Sequence, residues 1–130
     1  MADRFFYAAK VLHVVDGDTV DLMIDLGFNI HHEIRVRLYG VDTPESRTTN
    51  VAEKAAGLKS KAFVTAWTAN NPNVFIQTMK DKNEKYGRIL ANMYADEAKT
   101  ECLNTRLVTE GFAKAYFGDK KEVFNAGTKA

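Results

Sequence analysis

The stretch Asp16-Gly17-Asp18-Thr19-Val20-Asp21-Leu22-Met23-Ile24-Asp25-Leu26 changes character at every step. Val20, Leu22, Ile24 and Leu26 fall on one side of an extended chain, and Thr19, Asp21, Met23 and Asp25 fall on the other. A period of two with one apolar side describes a half-buried antiparallel strand. Asp16-Gly17 in front of it is a hairpin signal. The Phe-, Tyr-, Val- and Leu-rich residues 5–15 then read as the partner strand. Asp18 shares the parity of the apolar set but opens the strand, so its carboxylate is expected in a crevice at the strand end and not deep in a core.

Working outward, Gly27 and Asn29 turn the chain into a third alternating run over residues 30–39. Ile34, Val36 and Leu38 take one face, with Glu33, Arg35 and Arg37 on the other. The three strands form a meander whose open end gathers residues 16–18 and 39–45. From Val51 the period becomes helical: Val51, Ala55, Leu58, Ala62, Ala66 and Ala69 make a stripe flanked by Phe63 and Trp67, which are expected as core anchors. Asn70-Asn71-Pro72-Asn73 stops that helix. Short strands are expected at Val74–Met79 and Arg88–Tyr94, around a charged loop at 80–87. A second helix is expected over Thr100–Glu110, with Thr100 as N-cap and Gly111 as its stop. Phe112–Phe117 reads as extended, and the tail holds at most a short helix around Lys120–Asn125. Three strands, a helix, two strands and a helix suit an α+β, mainly β chain: a five-stranded antiparallel barrel of the OB type with two or three helices, a frame that commonly binds nucleic acid along one face.

The 130 residues are expected to form a single domain, 1–130, and its net charge of only +1 places any basic surface locally. Cys102 stands alone, so no intrachain disulfide is possible; it reads as a small apolar filler on the second helix. No stretch is apolar enough to span a membrane, and Asp3 is misplaced for a signal peptide. The expectation is therefore a soluble, cytoplasmic protein, secreted only if a leader has been removed, with no membrane partner. A monomer without an obligate protein partner is expected. His13, His31 and His32 read as surface histidines, since His31 and His32 point to opposite sides of one strand.

Four pieces bear charge where the β pattern stops: Asp16-Gly17-Asp18-Thr19, Arg37, Asp42-Thr43-Pro44-Glu45 and Lys85-Tyr86-Gly87-Arg88. Phosphodiester hydrolysis needs a hard divalent cation against an anionic phosphate, and such a cation takes oxygen ligands. Two aspartates and a backbone carbonyl supply those. Two guanidiniums can grip the phosphate and the charge of its transition state, and a nearby carboxylate can take a proton from water. Asp18, Asp42, Arg37, Arg88 and Glu45 match these needs in type, and Pro44 biases Thr43 toward an extended backbone that aims its carbonyl. Each piece alone has a plainer reading. Asp-Gly is an ordinary turn, Asp-Thr-Pro-Glu can cap a helix, and Lys-Tyr-Gly-Arg can be a solvated loop.

Together and in this order, Asp-Gly-Asp-Thr, Arg-x-x-x-x-Asp-Thr-Pro-Glu and Tyr-Gly-Arg resemble the staphylococcal nuclease family, over roughly residues 8 to 117. The resemblance implies that Asp18, Asp42 and the Thr43 carbonyl bind calcium. It implies Glu45 as the candidate general base and Arg37 and Arg88 on the scissile phosphate. Lys85 and Tyr86 would contact substrate phosphate or backbone, and Tyr116 would pack near the bound nucleotide, with a local spacing one residue off the family's. The implied activity is calcium-dependent cleavage of DNA and RNA, single-stranded or denatured substrate favoured, with little sequence preference and 3′-phosphate products. Two rivals stand beside it: a catalytically silent OB-fold module that binds nucleic acid or protein, and a structural or interaction protein. The chain departs from the family in its near-neutral charge, in a weakly basic Ser46–Asn50 segment and in a curtailed C-terminal helix. The first of these implies weaker, more salt-sensitive substrate binding.

Overall fold

The computed structural model describes residues 4–80 and 89–115. The meander forms as the alternation requires: β1 (Phe6–Asp16), β2 (Thr19–Asp25) and β3 (His31–Leu38) pair antiparallel in sequence order. Val20, Leu22, Val36 and Leu38 are fully buried, whereas Leu26, just beyond β2, is exposed. The hairpin differs by one residue from expectation. Asp16 pairs with Thr19, so the two-residue loop is Gly17-Asp18. At the next corner Gly27, Phe28 and Asn29 all take positive φ, and Asp25 Oδ1 accepts from Gly27 N.

β1 is long because it serves two neighbours. Phe6–Lys10 pair with β5 (Asn73–Lys80), and Ala9–Asp16 pair with β2. Register shifts between Val11 and His13, and between Val14 and Asp16, insert an extra residue each time. Such bulges add bend and twist, which lets one strand wrap from one partner to the next. β5 pairs with β6 (Ile89–Tyr94), and β6 closes the barrel against β3 in the order β1-β2-β3-β6-β5. That last pairing is parallel, Val36 with Ile89 through Leu38 with Ala91, which corrects the all-antiparallel expectation. A parallel pair needs a long crossover, and the 50 residues between Leu38 and Ile89 provide it.

Helix α1 (Val51–Asn70) is the main part of that crossover. Its buried face is Gly57, Ser60, Val64, Trp67 and Thr68, not the expected stripe: Val51, Ala55, Leu58, Ala62, Ala66 and Ala69 are all exposed. Alanine is compatible with either face, so the six-residue stripe carried little information about direction. The two small residues let the helix approach closely, and Trp67 reaches into the core as an anchor. Its indole Nε1 donates to Glu101 Oε2 at 2.9 Å, which meets the need of a buried ring N–H.

The second helix, α2 (Leu103–Thr109), starts three residues later than Thr100. Thr100 instead serves the preceding turn. Its N–H and hydroxyl both donate to the Asp96 carboxylate, an arrangement that holds that carboxyl below its usual pKa range. Cys102, half-buried, takes the N-cap position with no side-chain cap and bridges to Tyr94. Leu103 and Leu107 plug the barrel. Gly111 at φ +83° ends the helix, with Phe112 N donating to the Leu107 carbonyl. A two-stranded ladder follows between β4 (Val41–Asp42) and β7 (Lys114–Ala115). The expected short helix around Lys120–Asn125 lies outside the described residues. His13, His31 and His32 are exposed, and among the described residues no helix is long and apolar enough to cross a membrane.

Candidate active site

Three elements meet at the end of the barrel where the meander opens. Arg37 is the last outward residue of β3, directly across from Thr19. Asp18 sits in the β1–β2 loop, and its carbonyl accepts from Leu38 N at 2.8 Å, which fastens that loop to the end of β3. Gly40, at φ +76°, then reverses the chain into β4 and delivers Asp42 beside them.

The side chains converge on one guanidinium. Arg37 Nη2 lies 3.6 Å from Asp18 Oδ2 and 3.7 Å from Asp42 Oδ1. All three are largely withdrawn from solvent, at 17%, 15% and 13% exposure for Arg37, Asp18 and Asp42. These are ion-pair distances longer than hydrogen bonds. Thr19 Oγ1 donates to Asp18 Oδ1 at 3.0 Å and fixes the first carboxylate from its far side. By contrast, the second outward arginine of β3, Arg35, makes a short two-pronged pair with Asp21 at 2.8 and 3.3 Å, with its own guanidinium well exposed. That pair, hydrogen bonding first, draws the Asp21 carboxyl below its usual range. Arg35 is thus engaged across its own strand pair, whereas Arg37 reaches two carboxylates on separate segments, the β1–β2 loop and β4.

The Asp42-Thr43-Pro44-Glu45 turn does not cap α1. Asn50 does, accepting from Glu53 N at 2.9 Å. Thr43 is buried, and among the described residues its hydroxyl has no hydrogen-bond partner. Glu45 is exposed, and its Oε1 accepts from Arg47 N at 3.2 Å. The structure brings Asp18, Arg37 and Asp42 together, and leaves the Glu45 carboxylate folded against its own turn.

Lys85, Tyr86, Arg88 and Tyr116 lie outside the described residues. Their described neighbours are informative, however: Ile89 pairs with Val36, and Leu90 pairs with Arg37 itself. Ala115 pairs with Val41, and Lys114 stands directly across from Asp42.

The donor set suits a hard cation. Two carboxylate oxygens within 3.7 Å of one nitrogen share a small, sheltered space, and carboxylate and carbonyl oxygens are what calcium or magnesium takes. Among the described residues no group of three or more His, Cys, Asp or Glu side chains is positioned to hold a metal. Two aspartates alone therefore require backbone oxygen or water to complete a shell.

Sequence reasoning read Gly17 only as a hairpin residue and missed Gly57 and Ser60; together the three pack α1 against the Asp18 loop and the Pro44–Glu45 turn. The available signal was a lone glycine in an Ala-rich helix, three residues before a serine.

Residues 35–129 match the family model described as staphylococcal nuclease homologue. Asp18 precedes that segment, and it is the fold that sets it beside Arg37 and Asp42. The chain is 35% identical over 107 residues to the thermonuclease of Staphylococcus intermedius, covering 82% of this chain and 58% of that one. It is 32% identical over 108 residues to the thermonuclease of Staphylococcus hyicus (83% and 59%). It is 28% identical over 116 residues to the micrococcal nuclease of Shigella flexneri (85% and 59%). The chain thus spans less than two thirds of the length of these relatives. With a matching family model over most of its residues and the barrel those residues build, this chain belongs to the staphylococcal nuclease homologue family.

Proposed function

We propose that the protein is a calcium-dependent nuclease that hydrolyses phosphodiester bonds in DNA and RNA with little sequence preference, leaving 3′-phosphate ends. The observation that carries this reading is the convergence of Asp18 and Asp42 on Arg37 at 3.6 and 3.7 Å. The names of the thermonuclease and micrococcal nuclease relatives support it.

Asp18, Asp42 and the Thr43 carbonyl would hold the ion. Calcium, when bound, supplies positive charge against the phosphate and makes nearby water more acidic. Arg37 donates to the non-bridging phosphate oxygens, and its fork suits bidentate contact. Donors aimed at charge that grows during attack contribute more in a sheltered site than in water. Glu45 accepts the proton of the attacking water. Its exposed carboxylate keeps acceptor capacity beyond the single Arg47 contact. Attack at phosphorus with departure of the 5′-oxygen leaves the phosphate on the 3′ side. Arg88 would be the second guanidinium, with Lys85, Tyr86 and Tyr116 holding flanking substrate.

The test is hydrolysis of denatured DNA and of RNA in calcium, with and without chelator. Products should gain mobility shifts on phosphatase treatment that mark 3′-phosphates. Folded protein that cleaves neither substrate at any calcium level refutes the proposal and favours a silent binding module.

A further inference from the structure

The Asp18 loop, the Pro44–Glu45 turn and the segment that leads into β7 all rest on one small patch of α1. A β-carbon placed on Gly57 would lie 2.7 Å from the Pro44 carbonyl oxygen and from the carbonyl carbon and oxygen of Glu45. Those are backbone atoms, which cannot rotate away. One turn along the same face, Ser60 Oγ donates to the Phe112 carbonyl at 2.7 Å, just before β7 pairs with β4. Ser60 also meets the third segment. A β-carbon on Gly17, the residue before Asp18, would lie 2.8 Å from Ser60 Cβ and 3.1 Å from Thr43 Cγ2 and Oγ1. Neither glycine has the positive φ that would otherwise explain it.

The geometry points to Gly57, Ser60 and Gly17 as positioning residues that set the distance between the Asp18 loop and the Asp42–Glu45 turn, and hence the width of the cation site. This inference rests on the cation-binding reading above. A glycine inside an Ala-rich helix is the unfavourable choice for helix stability. Its presence where the backbone of the ligand-bearing turn comes closest has a physical reason, since any side chain there pushes Pro44 and Glu45 outward. Groups that orient metal ligands from behind typically change metal affinity by about 10- to 100-fold when altered.

The sign of the effect separates this role from ordinary helix propensity. If Gly57 were only a weak helix residue, Gly57→Ala would raise Tm by a few degrees. The positioning role predicts no gain in Tm and calcium affinity by titration calorimetry lower by at least about tenfold. It also predicts amide NMR shifts concentrated at residues 17–19 and 42–47 and not on the exposed face of α1. Gly17→Ala should behave alike. Because its nearest obstruction is the Ser60 β-carbon, Ser60→Gly in that background should recover part of the lost calcium affinity and return the 42–47 amides part of the way to their parent positions, the Thr43 contacts at 3.1 Å remaining and the Ser60 bond to Phe112 being lost. This pair carries the test if Gly57→Ala does not fold.

A higher Tm with calcium affinity within twofold of the parent and amide shifts confined to α1 overturns the inference, as does additivity of the Gly17 and Ser60 changes. A parent that binds no calcium refutes the proposed function instead, and the amide shifts and melts then decide the positioning role alone.

Discussion

Removing one buried amide, Asn104, should cost the fold about as much as a large core truncation. β3 and β6 pair in parallel only as far as Leu38 and Ala91. Beyond that point β3 has turned away toward β4, and Asn104 on α2 takes its place. Its Oδ1 accepts from Met93 N at 2.9 Å, and its Nδ2 donates to the Tyr39 and Ala91 carbonyls at 2.8 and 3.0 Å. In Asn104→Ala the Ala91 carbonyl still accepts from Tyr39 N, but Met93 N–H and the Tyr39 carbonyl lose these partners. The buried Met93 N–H left unpaired costs about 1–3 kcal/mol, the lost bond to the Tyr39 carbonyl about 1 kcal/mol, and the vacated volume roughly 1 kcal/mol. The expected loss is about 3–5 kcal/mol, a large share of the 5–15 kcal/mol typical of a domain, with Tm falling by about 10–20 °C. Urea unfolding followed by circular dichroism would show a lower midpoint with unchanged slope. Asn104→Leu, which fills the space without the bonds, should recover less than half of the loss. A deficit below about 1 kcal/mol for the alanine variant, or full recovery by leucine, would refute the argument that Asn104 completes the ladder.

Arg37→Ala should lower turnover by at least about a hundredfold while calcium affinity holds or rises, because a competitor for the two carboxylates is gone; calorimetry and initial rates read both, and near-normal turnover would place the phosphate elsewhere. Arg88→Ala should lose activity by orders of magnitude with Tm little changed, measured on the same substrates. Calcium at about 100 times its dissociation constant should stabilise the parent by roughly 2.7 kcal/mol, and Asp42→Ala should abolish that increment in a thermal melt. The Asp21 carboxyl is held low by Arg35, so its contribution is present above the unfolded Asp value near about 3.9 and is lost as pH falls through its lower folded value. Urea midpoints for Asp21→Asn and the parent should therefore differ at pH 6 and converge at strongly acidic pH.

The strands were legible because alternation is a local signal with a face built into it. Val20, Leu22 and Ile24 could only point one way, and they fixed the register of β1 through β3. The parallel closure was not legible, because nothing within β3 or β6 distinguishes a parallel neighbour from an antiparallel one; direction is set by the length and path of the crossover. The face of α1 was misread for a different reason. Its buried surface is marked by what is missing, Gly57 and the short side chain of Ser60, and a method that looks for apolar bulk passes over both. Thr100 does not cap α2: its hydroxyl and N–H donate to Asp96 in the preceding turn, and the helix begins three residues later, behind Cys102. In the site, residue types at strand ends identified Asp18, Arg37 and Asp42 as candidates. Their convergence on one nitrogen depends on Gly40, on the Asp18–Leu38 backbone bond and on α1, none of which is visible in the spacing of the three residues.

The charge arrangement bears on how such a site can exist before its ligands arrive. Two carboxylates drawn to one region of low exposure repel each other, and like charges at short range are costly where water is partly excluded. Arg37 offsets that repulsion by standing between them, 3.6 Å from one carboxylate and 3.7 Å from the other. The guanidinium that offsets the repulsion of the two carboxylates is, on the proposed function, also the one that faces the phosphate. On the proposed function, these three side chains alone carry one net negative charge, and a dication reverses that to one positive charge, which matches a phosphodiester. The same residue therefore has two successive partners. This explains why removing Arg37 should separate the two measurements, weakening catalysis while leaving the carboxylates, if anything, freer to take the ion.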